Sequence, residues 1–159
     1  EYYFGTISGS DDQDFEPNNT PDLAYMLQCG NMPGMNTACP TRYEVPFQYL
    51  NLAICGENDL DIYKIYLTAG ETLDMTMKYN YTVTGDLNMV LFHETLEANG
   101  STSYNLSVPD AQGMSTTDDE NITYVAQVTG WHFLMVFGNT AGDVNGYALQ
   151  WTLHAGTAK

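Results

Sequence analysis

This sequence of 159 residues predicts an all-β fold, a jelly-roll-like antiparallel β-sandwich of about eight or nine strands with one short helical turn. Three observations carry that expectation. Apolar and polar residues alternate with a period of two in many short segments. Clusters of Gly, Pro, Asn and Asp separate those segments at short intervals. No stretch sustains the 3.6-residue period of a long amphipathic helix.

Residues 1–10, EYYFGTISGS, read as an aromatic strand with a Gly/Ser exit. They form an extension ahead of a single domain at 11–159. They would serve either as an edge strand of that domain or as a strand donated to a neighbouring subunit. Thr20-Pro21 reads as an N-cap with proline at the first helical position, opening one or two helical turns up to Gly30. Tyr43, Val45, Phe47 and Tyr49 alternate as a strand, and Pro46 places that strand at a sheet edge. Tyr63, Ile65 and Leu67 alternate next, then Leu73, Met75, Met77 and Tyr79. The link Thr68-Ala69-Gly70-Glu71 reads as the turn of a β-hairpin in which Gly70 takes a positive φ. Leu87, Met89 and Leu91 share one face of a further strand. Tyr104 to Val108 reads as a short strand, and 109–120 as an acidic loop. Ile122, Tyr124, Ala126 and Val128 alternate, followed by Phe133, Met135 and Phe137. Tyr147, Leu149, Trp151 and Leu153 close the pattern after an Asn145-Gly146 hairpin signal. The methionine and aromatic stripes are expected core.

Composition narrows the function. The chain is 43% hydrophobic and long enough to bury about two-thirds of its unfolded surface as one domain. Its formal net charge is −16, with Arg42, Lys64, Lys78 and Lys159 as the fixed cations. That balance excludes phosphate-backbone binding, which needs clustered lysine and arginine, so no nucleic-acid partner is expected. No apolar run approaches the length needed to span a bilayer, so no membrane-spanning segment is expected. The acidity suits an extracellular medium whose cations screen self-repulsion. A chain that begins at Glu1 without Met is what removal of an export signal would leave, although any trimmed chain begins the same way.

Three cysteines are present. A disulfide between Cys29 and Cys39 would staple the intervening GNMPGMNTA loop, and Cys55, in an apolar run, reads as a buried thiol. Sequence alone does not separate the three possible pairings. There is no GxSxG, no Gly-rich phosphate loop and no HExxH, since His93-Glu94-Thr-Leu-Glu97 lacks the second histidine. His93, His132 and His154 all fall on expected strands, and no pair of carboxylates is singled out for acid–base work, so a non-enzymatic protein is expected.

Two features point to ligands. Glu57, Asn58, Asp59 and Asp61 gather oxygen donors where a strand begins, which suggests a cation tying the turn to the sheet. Five N-x-S/T sequons occur, at Asn18, Asn80, Asn99, Asn105 and Asn121. They suit a glycoprotein whose host attaches N-glycans, with Asn18 set aside because a glycan would crowd the acidic loop.

The segment DLDIYKIYLTAGETLDMTM resembles the middle of the bacterial pre-peptidase C-terminal domain family, where an Asp-x-Asp-x-Tyr strand start precedes an Ala-Gly-Glu turn. Phe15-Glu-Pro-Asn-Asn-Thr-Pro-Asp-Leu-Ala24 is similar to the opening of that family. Gly130-Trp-His-Phe-Leu-Met-Val136, with Gly146-Tyr-Ala-Leu149, is similar to its closing strands. The resemblance implies one calcium ion shared by two loops, as in the collagen-binding domains of secreted collagenases. It implies Asp14, Glu16, Asn18 and Asn19 as ligands from the first loop, with Asn58 and Asp61 from the second. Asn58 stands where an aspartate would supply charge, leaving Glu57 or Asp59 to substitute.

Two functions are expected from this. The first is a glycosylated, non-enzymatic subunit that self-associates into an extracellular homopolymer, a surface filament or coat, by donating its N-terminal strand. The alternative is an accessory domain of a secreted peptidase that binds collagen or polysaccharide, as the resemblance implies.

Overall fold

The computed structural model describes residues 15–27, 42–80 and 85–156, with Asn51 described in its backbone only. Among them are ten strands and one 3-10 turn, Pro21–Leu23. The strands are β1 (Tyr25–Met26), β2 (Phe47–Ile54), β3 (Asp61–Leu67), β4 (Thr72–Tyr79), β5 (Leu87–Leu96), β6 (Thr102–Tyr104), β7 (Ala111–Gly113), β8 (Glu120–Val125), β9 (Gly130–Gly138) and β10 (Asn145–His154). They form two sheets. One runs β1-β3-β9-β5-β6, with β7 also on β5, and the other runs β2-β10-β4-β8. All pairings are antiparallel except β1 with β3. The expected β-sandwich is therefore what the chain builds.

The alternation sets which face is inside. Tyr63, Ile65 and Leu67 of β3, Leu134 and Val136 of β9, and Leu87, Met89 and Leu91 of β5 meet Leu73, Met75, Met77 and Tyr79 of β4 and Leu149 and Trp151 of β10 in one buried cluster. Each such large side chain contributes about 1.5–3 kcal/mol on burial. A second cluster lies on the opposite face of the larger sheet, where Ile62, Val90, Phe92 and Phe133 pack with Tyr104 and Trp131. That explains why β5 is buried continuously from Leu87 to Phe92 rather than alternately.

Several local expectations are corrected. The stretch through Thr68 and Gly70 is not a hairpin: β3 pairs with β9, while β4 pairs with β10 and β8 in the other sheet. An arch and a hairpin satisfy the same alternation, because either places both apolar faces on the core. Gly70 does take a positive φ, 95°. Asn145 and Gly146 open β10 itself, and the connection 139–144 ahead of them likewise crosses between sheets, because β9 and β10 share no ladder. The helix expected from Thr20 is a single 3-10 turn, ended by β1 pairing with β3. The strand expected from Tyr43 begins at Phe47, just after Pro46, and it is an edge strand as that proline implied. The short strand ends at Tyr104 rather than continuing to Val108, and the acidic loop contains β7, which fills the β5 edge. Cys55 is exposed at the end of β2, not buried. Residues 1–10, Asp14, and Cys29 with Cys39 lie outside the described residues.

Candidate cation site and surface

Two turns distant in sequence converge beside the start of β3. The chain at Asn18 runs against β3, where Ile62 N donates to the Asn18 carbonyl at 3.0 Å. Leu60 N donates to Asn19 Oδ1 at 2.9 Å, and Asn18 N donates to Glu16 Oε2 at 3.1 Å. The Asn18 side chain, 0% exposed, donates with its amide nitrogen to Asp61 Oδ1 and to the Leu60 carbonyl, each at 3.2 Å. On the second turn Asn58 adopts a φ of 68°, a left-handed conformation that asparagine tolerates. Cys55 N donates to Asp59 Oδ2 at 2.6 Å and so aims that carboxylate.

The result is a triad of carboxylates. Glu16, Asp59 and Asp61 each offer an oxygen within 4.8 Å of the others. That span matches two oxygens on opposite sides of a calcium ion, whose Ca–O bonds are about 2.3–2.6 Å. Asp61 is fully buried and accepts the Tyr147 hydroxyl, which lies 2.8 Å from the Tyr63 hydroxyl. Three such groups repel one another in the absence of a cation. Among the described residues no salt bridge reaches Glu16 or Asp59. The donor set, hard oxygens with two partly open carboxylates, fits calcium.

Of the residues implied by the resemblance, Glu16 and Asp61 meet in the triad. Asn18 and Asn19 use their side chains to strap the two turns together, and Asn58 shapes the second turn. Asp59 takes the charged position that Asn58 lacks. It also borders an open groove of about 240 Å³ between 56–60 and 137–143.

The sequons separate by burial. Asn18 is closed to any glycan, whereas Asn99, Asn105 and Asn121 are exposed and Asn80 is half-buried. Asn99 Oδ1 accepts both Ser101 N, at 2.9 Å, and Ser101 Oγ, at 2.7 Å. The sequon at the β5–β6 tip is thereby preformed as an Asx turn. Asn121 lies on edge strand β8, its Oδ1 accepting Thr76 Oγ1 at 2.8 Å.

The histidines lie on β5, β9 and β10. His93 Nδ1 bonds Asp110 at 2.8 Å, but among the described residues no serine, threonine or cysteine is hydrogen-bonded to His93 that it might activate. His154 bridges two carboxylates, Glu44 Oε2 on Nδ1 and Asp74 Oδ2 on Nε2, each at 2.8 Å. These hydrogen bonds, that to Glu44 foremost, raise its pKa above the ordinary 6.5. A raised folded-state value contributes stability that is complete below pH 6.5 and fades as pH rises through the folded-state pKa. Replacing His154 by Gln is therefore expected to lower the melting temperature more at pH 6 than at pH 8.5. An equal loss at both values would show that the bridge carries no proton linkage.

No protein-family model matches this chain, and no curated protein matches it. Among solved structures it is similar to the pre-peptidase C-terminal domain of a collagenase from Bacillus anthracis. That match has 14% identity and a TM-score of 0.46 and covers 70% of this chain and 89% of that one. It is similar too to PliG from Aeromonas hydrophila, a periplasmic inhibitor of g-type lysozyme, with 13% identity, a TM-score of 0.46, and coverage of 69% of this chain and 85% of that one. Neither similarity carries an activity across. Among the described residues no helix is long and apolar enough to cross a membrane.

Proposed function

We propose that this chain is a calcium-stapled, non-catalytic β-sandwich module of an extracellular glycoprotein, a divergent relative of the pre-peptidase C-terminal domains that accompanies or recruits a partner rather than transforming a substrate. The observation that carries the reading is the meeting of Glu16, Asp59 and Asp61 from two turns separated by about forty residues of chain. Glu16, Asp59 and Asp61 would hold the ion. The ion would neutralise their repulsion and fasten the 15–19 loop to β3. Exposed Tyr25, with Leu23 and Met26 exposed next to it along the chain, supplies an apolar rim for collagen or polysaccharide. Asn80, Asn99, Asn105 and Asn121 are the glycan acceptors.

The test is thermal unfolding with calcium and with EDTA. A ligand present at 100 times its Kd stabilises the native state by about 2.7 kcal/mol. For a chain of this size that raises the melting temperature by about 5–10 °C. Asp61→Asn is expected to abolish the difference between the two conditions while remaining folded. Superimposable wild-type curves in calcium and EDTA would reduce the triad to a solvated acidic turn.

A second reading, assembly into a filament by strand addition with residues 1–10 as the donor, is favoured by one observation. Edge strand β8, Glu120–Val125, contains neither proline nor lysine, the usual guards of an open edge. Deleting residues 1–10 would then leave a folded monomer in place of a polymer, and polymer that survives the deletion would eliminate this route.

A further inference from the structure

A second, chemically different cluster lies at the far end of the core from the carboxylate triad. His93 of β5 and His132 of β9 are direct cross-strand partners, in the same register as the core pairs Leu91 with Leu134 and Met89 with Val136. Both histidines therefore face the interior. From the opposite sheet Tyr124 of β8 reaches the same place. We propose that His93, His132 and Tyr124 form a binding site for a borderline divalent transition ion of the zinc class.

Four features of the geometry support it. First, each ring has one nitrogen already engaged by an acceptor. His93 Nδ1 lies 2.8 Å from Asp110 Oδ2, and His132 Nδ1 lies 3.1 Å from the Gly130 carbonyl. This carboxylate-or-carbonyl anchoring of Nδ1 sets the tautomer of metal-binding histidines and leaves the Nε2 lone pair for the ion. Second, the ring centres are 5.9 Å apart. Two imidazoles on one zinc ion, with Zn–N bonds of about 2.0–2.1 Å, have centres about 5–6 Å apart. Third, Tyr124 Oη lies 3.4 Å from His132 Nε2. That is long for a hydrogen bond between hydroxyl and nitrogen. It equals the separation, about 3.3–3.4 Å, of two ligand atoms on a tetrahedral ion with bonds of that length. Fourth, His132 and Tyr124 are buried, whereas the His93 side chain is 33% exposed, which provides an entry path.

On coordination the Tyr124 hydroxyl would release its proton to solvent. Two imidazoles and a phenol oxygen select nitrogen-preferring ions, whereas the carboxylate triad selects hard ones, so the two sites would not compete.

The test is calorimetric titration of the whole chain with zinc chloride in saturating calcium, which masks the carboxylate triad. One saturable site per chain is expected in the wild type. It should disappear in His93→Ala and in the bulkier His93→Gln, both at a partly exposed position where folding can be verified by circular dichroism. Asp110→Asn, which loosens the anchoring of His93 without removing a ligand, should weaken binding about 10–100-fold. His154→Ala should leave the site intact. No saturable site in the wild type, or a site of unchanged affinity in both His93 variants, would overturn the proposal.

Discussion

Replacing Glu71 by Ala is expected to cost about 3–5 kcal/mol, the range for removing one partner of a buried ion pair. Glu71 is 3% exposed and its carboxylate is the hub of the arch between β3 and β4. Oε2 accepts Arg42 Nη2 at 3.0 Å and Thr68 N at 2.8 Å, and Oε1 accepts the Tyr43 hydroxyl at 2.5 Å. Arg42 also donates to the Tyr66 carbonyl, so one side chain ties the 42–43 segment to both ends of the arch. Without the carboxylate a guanidinium only 11% exposed loses its counter-charge. The backbone of the same residue joins the exit of β8, with Ala126 N donating to Glu71 O at 2.8 Å. Chemical denaturation should therefore show a lower midpoint with an unchanged slope. Glu71→Gln, which keeps the acceptor oxygen but not the charge, should recover part of the loss. A variant as stable as the wild type would mean that the arch is held by its backbone alone.

Replacing Trp151 by Ala should cost a similar amount, about 3–5 kcal/mol for a large aromatic removed from a core. Trp151 is buried on β10, stacked on Phe47 at 5.8 Å and edge-on to Tyr49 at 4.8 Å. The packing continues outward, because Tyr49 lies 5.0 Å from Phe15, the residue next to Glu16. Phe15 in turn meets Tyr25 edge-on at 4.8 Å. The aromatic chain thus seats the first acidic turn against the sandwich. Two readouts should move together in this variant, the unfolding midpoint and the calcium dependence of the melting temperature. Loss of stability with full calcium dependence retained would separate the core from the triad and place the anchoring of Glu16 in the Asn18–Asn19 hydrogen bonds alone.

Both residues show what could be read in advance. Trp151 was legible, because its alternation with Tyr147, Leu149 and Leu153 allows only one face inward. Glu71 was not. Its chemistry depends on Arg42, 29 residues earlier, and no local pattern announces that pairing. The acidic site divides the same way. Glu16 and Asp61 were visible through the segments that carry them, and the clustering of Asp59 beside Asn58 was visible as charge. The assignment of roles was not, because it depended on side-chain direction. Asn18 turns its nitrogen toward Asp61 and becomes a strap. Asp59, aimed by the Cys55 amide, becomes the third carboxylate. The pairing of His93 with His132, separated by 39 residues and in no motif, belongs wholly to the ladder between β5 and β9.

By itself the sequence determined the class of fold, the faces of most strands and the edge position of β2, while its net charge of −16 sets an expectation against phosphate-backbone binding. These follow from period and composition, which are local or global sums. Tertiary structure alone decided which strands pair. It placed β3 and β4 in opposite sheets, sent the chain after β9 across the core, and covered the outer face of β5 with aromatic rings. The physical reason is that a period of two says only that one face of a strand is buried. Whether the partner across that face is the next strand or a distant one depends on the total apolar surface that closing the sandwich removes from water.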